Sequence, residues 1–340
     1  MNVQAGADWG VSERAAKLQR EAFVCDMTSP WSAPGDPDLQ AALPGRMKRA
    51  GFDFMTLTVG TDDHDPATAL AEVARNRRFI LSRPDELVLA LRADDIPRAR
   101  AEGKLAVGLH FQGTTPVARN LDLVEAFHAL GIRHMLMAYN QKNFVADGCH
   151  ELTDCGISRF GRSLIAEMER VGMFVDVAHT GYRSSLETID AATGPVICSH
   201  GNVWARFEHP RAYRDDQIKA IAATGGAIGI TGLGIFMGNN DASLETYVAQ
   251  IDHVAQLVGP EHVGFGFDYI YDVPALVAIS AKLGTKWPKG YGYDNTEINQ
   301  VEPEMAPRIT EALLGRGYDE AAVGNIIGGN WLRLIRQVWK

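Results

Sequence analysis

Two short apolar runs in this chain end in histidine: Val175-Asp-Val-Ala-His179 and Val196-Ile-Cys-Ser-His200. Each reads as a buried β-strand. Imidazoles delivered from the ends of consecutive strands meet at one end of a sheet, where neutral ring nitrogens suit a divalent metal. Val263-Gly-Phe-Gly-Phe-Asp268 brings a carboxylate to a glycine-lined, partly apolar place. Burial there raises its pKa and suits proton transfer, with loop capping as the competing role. In Glu208-His209-Pro210-Arg211 a proline stiffens the backbone before an arginine. Such an arginine either grips a substrate carboxylate through two parallel bonds or bridges loop carboxylates. Thr28, Gln112 and Tyr139 also close apolar runs, and with Asn140 they supply neutral hydrogen-bonding groups to the same end. His110 lies two residues before Gln112, so strand alternation puts both on one face, with His110 one layer deeper. It reads as a buried, hydrogen-bonded histidine, with service as a replacement ligand as the alternative. Cys149-His150-Glu151 with Cys155 imitates a metal loop. The four cysteines lack zinc-ribbon spacing, however, and are expected to be free thiols in a reducing cytoplasm.

These residues gain meaning from the elements that carry them. Apolar, β-rich runs occur at Phe23–Thr28, Phe52–Val59, Leu105–Phe111, His134–Tyr139, Met173–His179, Val196–His200, Ala227–Gly232 and Val263–Tyr269. Helical periodicity falls between most of them, most clearly at Leu121–Leu130, Arg162–Val171, Ser184–Ala192, Asp215–Ala223 and Leu244–Val258. Glycines such as Gly131 and Gly172 mark helix ends. Eight strands alternating with helices predict one (β/α)8 (TIM) barrel domain over 1–340. Extra helices are expected at Ser12–Ala22 before the barrel and at Glu304–Arg316 and Glu320–Val338 after it. No Gly-x-Gly-x-x-Gly follows the first strand, which argues against an open dinucleotide-binding sheet. The segment Tyr271–Val301, with Trp287, Tyr291 and Tyr293, is an active-site cover or a long surface connection.

Composition sets the outer bounds. The 340 residues are 46% hydrophobic and 22% charged, enough for one sizeable core. A net charge of −9 and a pI near 5.6 argue against nucleic acid and an anionic membrane surface as main partners. No signal-peptide pattern opens the sequence and no apolar run reaches membrane-spanning length, so a cytoplasmic location is expected.

Taken together, the motifs resemble the renal (membrane) dipeptidase family of amidohydrolase-type barrels. The resemblance covers most of the chain. It runs from Phe160-Gly-Arg through Gly172-Met-Phe-Val-Asp-Val-Ala-His179, Pro195-Val-Ile-Cys-Ser-His200 and His209-Pro-Arg211 to Asp216-Gln-Ile. It resumes at Ile251-Asp-His-Val-Ala-Gln-Leu-Val-Gly and His262-Val-Gly-Phe-Gly-Phe-Asp268, and closes at Gly328-Gly-Asn-Trp-Leu-Arg333. It implies hydrolysis of dipeptides and related amides by two zinc ions that share a bridging glutamate. On that resemblance His179 and His200 match the histidines of the second metal, and Arg211 matches the holder of the substrate's terminal carboxylate. Asp268 matches the proton shuttle between attacking water and leaving amine. A homodimer is implied on the same ground alone.

The departures are equally specific. The family's Asp-Gly-His-Asn-Asp motif supplies a histidine and an aspartate to the first metal; here the stretch reads Asp26-Met27-Thr28-Ser29-Pro30. The bridging glutamate falls at Gln112, and the carbonyl-polarising histidine at Tyr139. A neutral glutamine cannot hold two cations together. A two-metal site is therefore not expected, while one zinc or other divalent metal on His179 and His200 remains open. Three readings follow. The first is a one-metal hydrolase of a carboxylate-bearing small molecule, with Asp268 and Tyr139 catalytic and Arg211, Gln112, Asn140 and Thr28 binding substrate. The second is a metal-independent enzyme of altered chemistry, a lyase or isomerase. The third is a non-catalytic binder. The polar character of the replacements favours a refitted pocket over a decayed one.

Overall fold

In the computed structural model, which describes residues 8–30, 36–280 and 286–340, ten strands run in chain order. They are β1 (Cys25–Pro30), β2 (Phe54–Thr61), β3 (Leu87–Leu89), β4 (Leu105–Gln112) and β5 (Ile132–Leu136), then β6 (Phe174–Asp176), β7 (Val196–Val203), β8 (Ala212–Tyr213), β9 (Ile228–Ile230) and β10 (Val263–Phe265). Eight of them close a parallel ring in the order β1, β2, β4, β5, β6, β7, β9, β10, with β10 returning to β1. These eight are the runs expected from the sequence. The additions β3 and β8 hang beside β4 and β7, and are too short to show a period of their own.

The alternation on β4 shows how the barrel is filled. Leu105, Val107, Leu109 and Phe111 point outward into the shell shared with the helices. Gly108, His110 and Gln112 take the other face, and Ala106 joins Phe54, Phe174, Ile197 and Trp331 in a separate apolar floor. Above that floor the interior turns polar: Thr58 sits opposite His110, and His110 opposite His134.

Helices end where the residues predict. Ser158 caps the helix Arg159–Val171 by accepting from Gly161 N–H, and Gly172 closes it in the left-handed conformation at φ 87°. The C-terminal stretch expected as one helix is instead interrupted at Asn325–Gly329. The cause is a close approach: a Cβ on Gly328 would lie 2.2 Å from the Phe23 carbonyl oxygen. Gly266 answers a similar demand inside the barrel, because a Cβ there would stand 2.0 Å from the Ser199 carbonyl oxygen. The other glycine of the Gly-Phe-Gly-Phe run, Gly264, answers to the C-terminal helix, since its Cβ would stand 2.3 Å from the Trp331 indole nitrogen. No helix among the described residues is long and apolar enough to cross a membrane.

Candidate active site

Strand ends and the loops just beyond them gather the expected residues at the C-terminal mouth of the ring, the end at which such barrels do chemistry. His200 lies within β7, but three of the others lie further out than their apolar runs suggest. Tyr139, His179 and Asp268 each fall three residues past the last paired residue of β5, β6 and β10. His179 and Asp268 both have left-handed backbones, at φ 60° and 55°. Histidine and aspartate tolerate that region better than most residues, and such strain concentrates at functional sites. The Cys149 amide donates to the His179 carbonyl at 2.7 Å, and the Asp268 amide to the Thr28 carbonyl at 3.1 Å, which holds both turns in place.

The two imidazoles meet edge to face with ring centroids 4.9 Å apart, and the Tyr139 ring stacks on His179 at 4.2 Å. His179 Nδ1 pairs with Asn140 Oδ1 at 2.7 Å. His200 Nδ1 lies 2.8 Å from the Ser199 hydroxyl and 3.1 Å from that of Thr28. Its Nε2 is buried without a partner. Burial holds both rings well below the usual imidazole range, and Arg211 adds to the effect, so both are neutral.

Arg211 is 1% exposed, yet only Nη2 has a hydrogen-bond partner, the His200 carbonyl at 3.2 Å. Its Nε and Nη1 have none. Its guanidinium carbon lies 5.5 Å from the centre of the Phe236 ring. Burial pushes the Asp268 carboxyl up to about 7, with Arg211 pulling the other way. Burial, and next the Asp268 charge, push the Tyr139 phenol above its usual range, so it stays a donor at neutral pH. Gln112 donates from Nε2 to the Thr58 hydroxyl at 3.1 Å, which commits its amide and leaves Oε1 as the acceptor.

Thr28 and Asn140, expected to touch substrate, each place a polar atom against one of the two histidines. The Thr28 hydroxyl donates to the Met27 carbonyl at 2.6 Å and faces His200, while Asn140 Nδ2 donates to the Lys286 carbonyl at 3.0 Å. His110 pairs with Thr58 at 2.8 Å and stacks on His134 at 4.2 Å, below the mouth. Cys149 and Cys155 part company. The Cys149 thiol lies 3.5 Å from Asn140 Oδ1, and burial pushes it up to about 11, whereas Cys155 is exposed.

Segment 286–301 lies over the mouth. Trp287 Nε1 donates to the Tyr139 hydroxyl at 3.4 Å, His150 Nε2 pairs with the Tyr293 hydroxyl at 2.9 Å, and His209 Nε2 with the Tyr291 carbonyl at 3.1 Å. Lys286 forms an ion pair with Asp63. Residues 281–285 of the expected cover fall outside the described residues.

Two aspartates support the site in ways that their residue type does not announce. Asp62, just past β2, accepts from the amides of Thr114, Thr115 and Tyr139 and from the Asn143 side chain, tying three loops together. The only hint was its place after a strand. Asp26 lies under the site, where its Oδ1 accepts from the Phe267 amide at 2.8 Å; burial pushes it up to about 7.

The donor set does not fit the family's two-metal centre. Thr28 and Pro30 replace first-metal ligands, Gln112 replaces the bridge, and no group of three His, Cys, Asp or Glu among the described residues is arranged to hold a metal. Two neutral imidazoles, one with an unpartnered buried Nε2, are the groups at this mouth whose chemistry suits a divalent cation.

A closed parallel barrel with this strand-end set defines an amidohydrolase-type protein. The description of the membrane dipeptidases, peptidase family M19, matches residues 15–340, and the chain belongs to that family of hydrolases. It is 30% identical over 225 residues to the uncharacterized dipeptidase C965.12 of Schizosaccharomyces pombe, covering 64% of this chain and 53% of that protein. The chain thus spans about half the length of that relative. It is 27% identical over 320 residues to dipeptidase tcpJ of Claviceps purpurea, covering 89% of this chain and 69% of that protein. Among solved structures, an amidohydrolase from Pseudomonas aeruginosa superposes with a TM-score of 0.86 at 28% identity, covering 96% of this chain and 99% of its own. A metallo peptidase from Rhodobacter sphaeroides, liganded with a phosphinate mimic of the dipeptide L-Ala-D-Ala, shares the fold with a TM-score of 0.75 at 18% identity, covering 94% of this chain and 99% of its own.

Proposed function

We propose that the protein hydrolyses a small amide or dipeptide bearing a free carboxylate, with at most one divalent cation. The observation that carries this reading is Arg211, a buried guanidinium with Nε and Nη1 unpartnered, in one enclosure with Asp268 and two neutral histidines. A buried cation without its anion is costly, and a substrate carboxylate would satisfy both free donors at once. The Rhodobacter neighbour's dipeptide mimic is in keeping with that class of substrate.

The chain's own groups divide the work. Arg211 fixes the carboxylate and so orients the scissile amide. Asp268, ionised near neutrality, takes a proton from the attacking water and returns it to the leaving nitrogen. The Tyr139 hydroxyl donates to the carbonyl oxygen as charge develops there. Gln112 accepts an N–H through Oε1, and segment 286–301 excludes bulk water. His179 and His200 would hold a cation through Nε2, and such an ion, when bound, lowers the pKa of water and polarises the carbonyl.

Among the described residues no third His, Cys, Asp or Glu joins His179 and His200 in a metal-holding group, which favours a second reading, metal-independent chemistry in the same pocket. Elemental analysis of protein purified without chelator, paired with a dipeptide hydrolysis assay, separates the two. We expect no more than one equivalent, lost with activity in His179→Ala. Two equivalents would refute the donor-set argument. Turnover that is independent of metal would select the second reading, and no hydrolysis of any dipeptide or amide with the cation restored would refute the proposal.

A further inference from the structure

We infer that Thr28 and Asn140 are positioning residues that hold His200 and His179 in one shared tautomer, protonated on Nδ1, with both Nε2 lone pairs facing the pocket. The inference rests on the proposed role of the two histidines as the working pair. It assigns to Thr28, which replaces a family metal ligand, a new task at the same site.

The argument is one of donor counting. Asn140 Nδ2 is committed to the Lys286 carbonyl, so the atom 2.7 Å from His179 Nδ1 is the amide oxygen. An amide oxygen only accepts, so His179 must donate from Nδ1. At His200 the Thr28 hydroxyl has spent its proton on the Met27 carbonyl at 2.6 Å and offers Nδ1 only lone pairs. The second neighbour of Nδ1 is the Ser199 hydroxyl at 2.8 Å, which also interacts with the Asp176 carboxyl. Asp176 Oδ1 accepts from the amides of Ala178 at 2.9 Å and Ser199 at 3.0 Å, while its Oδ2 is buried with no hydrogen-bond partner of its own and is the acceptor available to the Ser199 proton away from the ring. With both hydroxyl protons directed elsewhere, Nδ1–H is shared between two oxygens. The opposite tautomer would bury an Nε2–H that has no acceptor, since Nε2 has no partner at all. The two locks come from different strands of the ring, Thr28 from β1 and Asn140 from the loop after β5, and both act on Nδ1, leaving Nε2 as the unprotonated nitrogen of each imidazole.

Nitrogen-15 correlation spectra of histidine-labelled protein read the tautomers directly, without metal or substrate. In the wild type both rings are expected to show a pyrrole-like Nδ1 and a pyridine-like Nε2. Thr28→Val keeps the shape and removes the acceptor. It should populate the other tautomer at His200, leave His179 unchanged, and lower kcat about 10–100-fold, the usual range for such supporting partners. Thr28→Ser should restore both the spectrum and most of kcat, a rescue that mere packing would not give. A protonated Nε2 on either wild-type ring, or a valine variant whose spectrum matches the wild type, overturns the inference. If the tautomers are as stated but no amide is hydrolysed, the proposed function fails and the tautomer assignment stands.

Discussion

Replacing Arg211 by methionine sets the cost of an unpaired buried cation against its use in binding. In the free protein two guanidinium donors, Nε and Nη1, lack partners, and each unsatisfied buried donor costs about 1–3 kcal/mol. Against this stand one hydrogen bond to the His200 carbonyl and the face of Phe236, both lost on substitution. Replacing a buried ionic group by an apolar one of similar volume commonly stabilises by about 1–4 kcal/mol. For a chain of this size that corresponds to a rise in Tm of roughly 1–6 °C. The same change removes two charge-assisted bonds to a substrate carboxylate, each worth about 1.5–3 kcal/mol. At about 1.4 kcal/mol per factor of ten, affinity should fall by roughly 10²–10⁴. Scanning calorimetry gives the first quantity. Titration of a dipeptide and its C-terminal amide into an Asp268→Asn background gives the second without turnover. Arg211→Lys should be intermediate in binding, since an ammonium lacks the planar fork. A methionine variant that melts lower than wild type, together with equal binding of the dipeptide and its amide, would show that Arg211 is a structural brace.

Asp268→Asn should lower kcat by at least about 10²-fold while leaving dipeptide affinity within a few-fold. In the wild type kcat/KM should climb with pH and level off above about 7, the value to which burial pushes Asp268, and that limb should vanish in the variant. A wild-type profile flat from pH 5 to 8 would remove Asp268 from the base role. Asp26 gives a stability prediction of opposite sense to the usual carboxylate. Its folded pKa is raised to about 7, so its contribution is intact below the unfolded value near 4 and is lost as pH rises through 7. Asp26→Asn should therefore raise Tm more at pH 8 than at pH 5, by an amount on the order of 3 kcal/mol in stability, the remainder of the linkage lying below pH 5. An equal shift at both pH values would mean that Asp26 is not protonated in the folded protein at low pH.

Much of the architecture was legible along the chain, because the signals that report it are local. A buried strand is a short apolar run, a helix face repeats every 3.6 residues, and a glycine after such a face ends it. All eight ring strands follow from these signals, as does the delivery of His179, His200 and Asp268 to one end of the ring. The departures from the family's motif are legible in the same way, since Thr28, Pro30 and Gln112 stand where the resemblance expects a histidine, an aspartate and a glutamate. Strand lengths were overread, because the apolar runs continue into the turns that carry Tyr139, His179 and Asp268.

What only the tertiary structure decided is which polar atom meets which. Thr28 and His200 are 172 positions apart, and their meeting depends on ring closure and on where β7 sits relative to β1. Neither is encoded in the periodicity of either strand. The same holds for Asp62, whose side chain serves loops 52 to 81 residues away. It holds most of all for Arg211, because an arginine in sequence carries no sign of how many of its donors folding will satisfy. Residue type fixed the chemistry on offer at the barrel mouth. Closure of the ring chose the partners, and with them which atoms remain for a substrate.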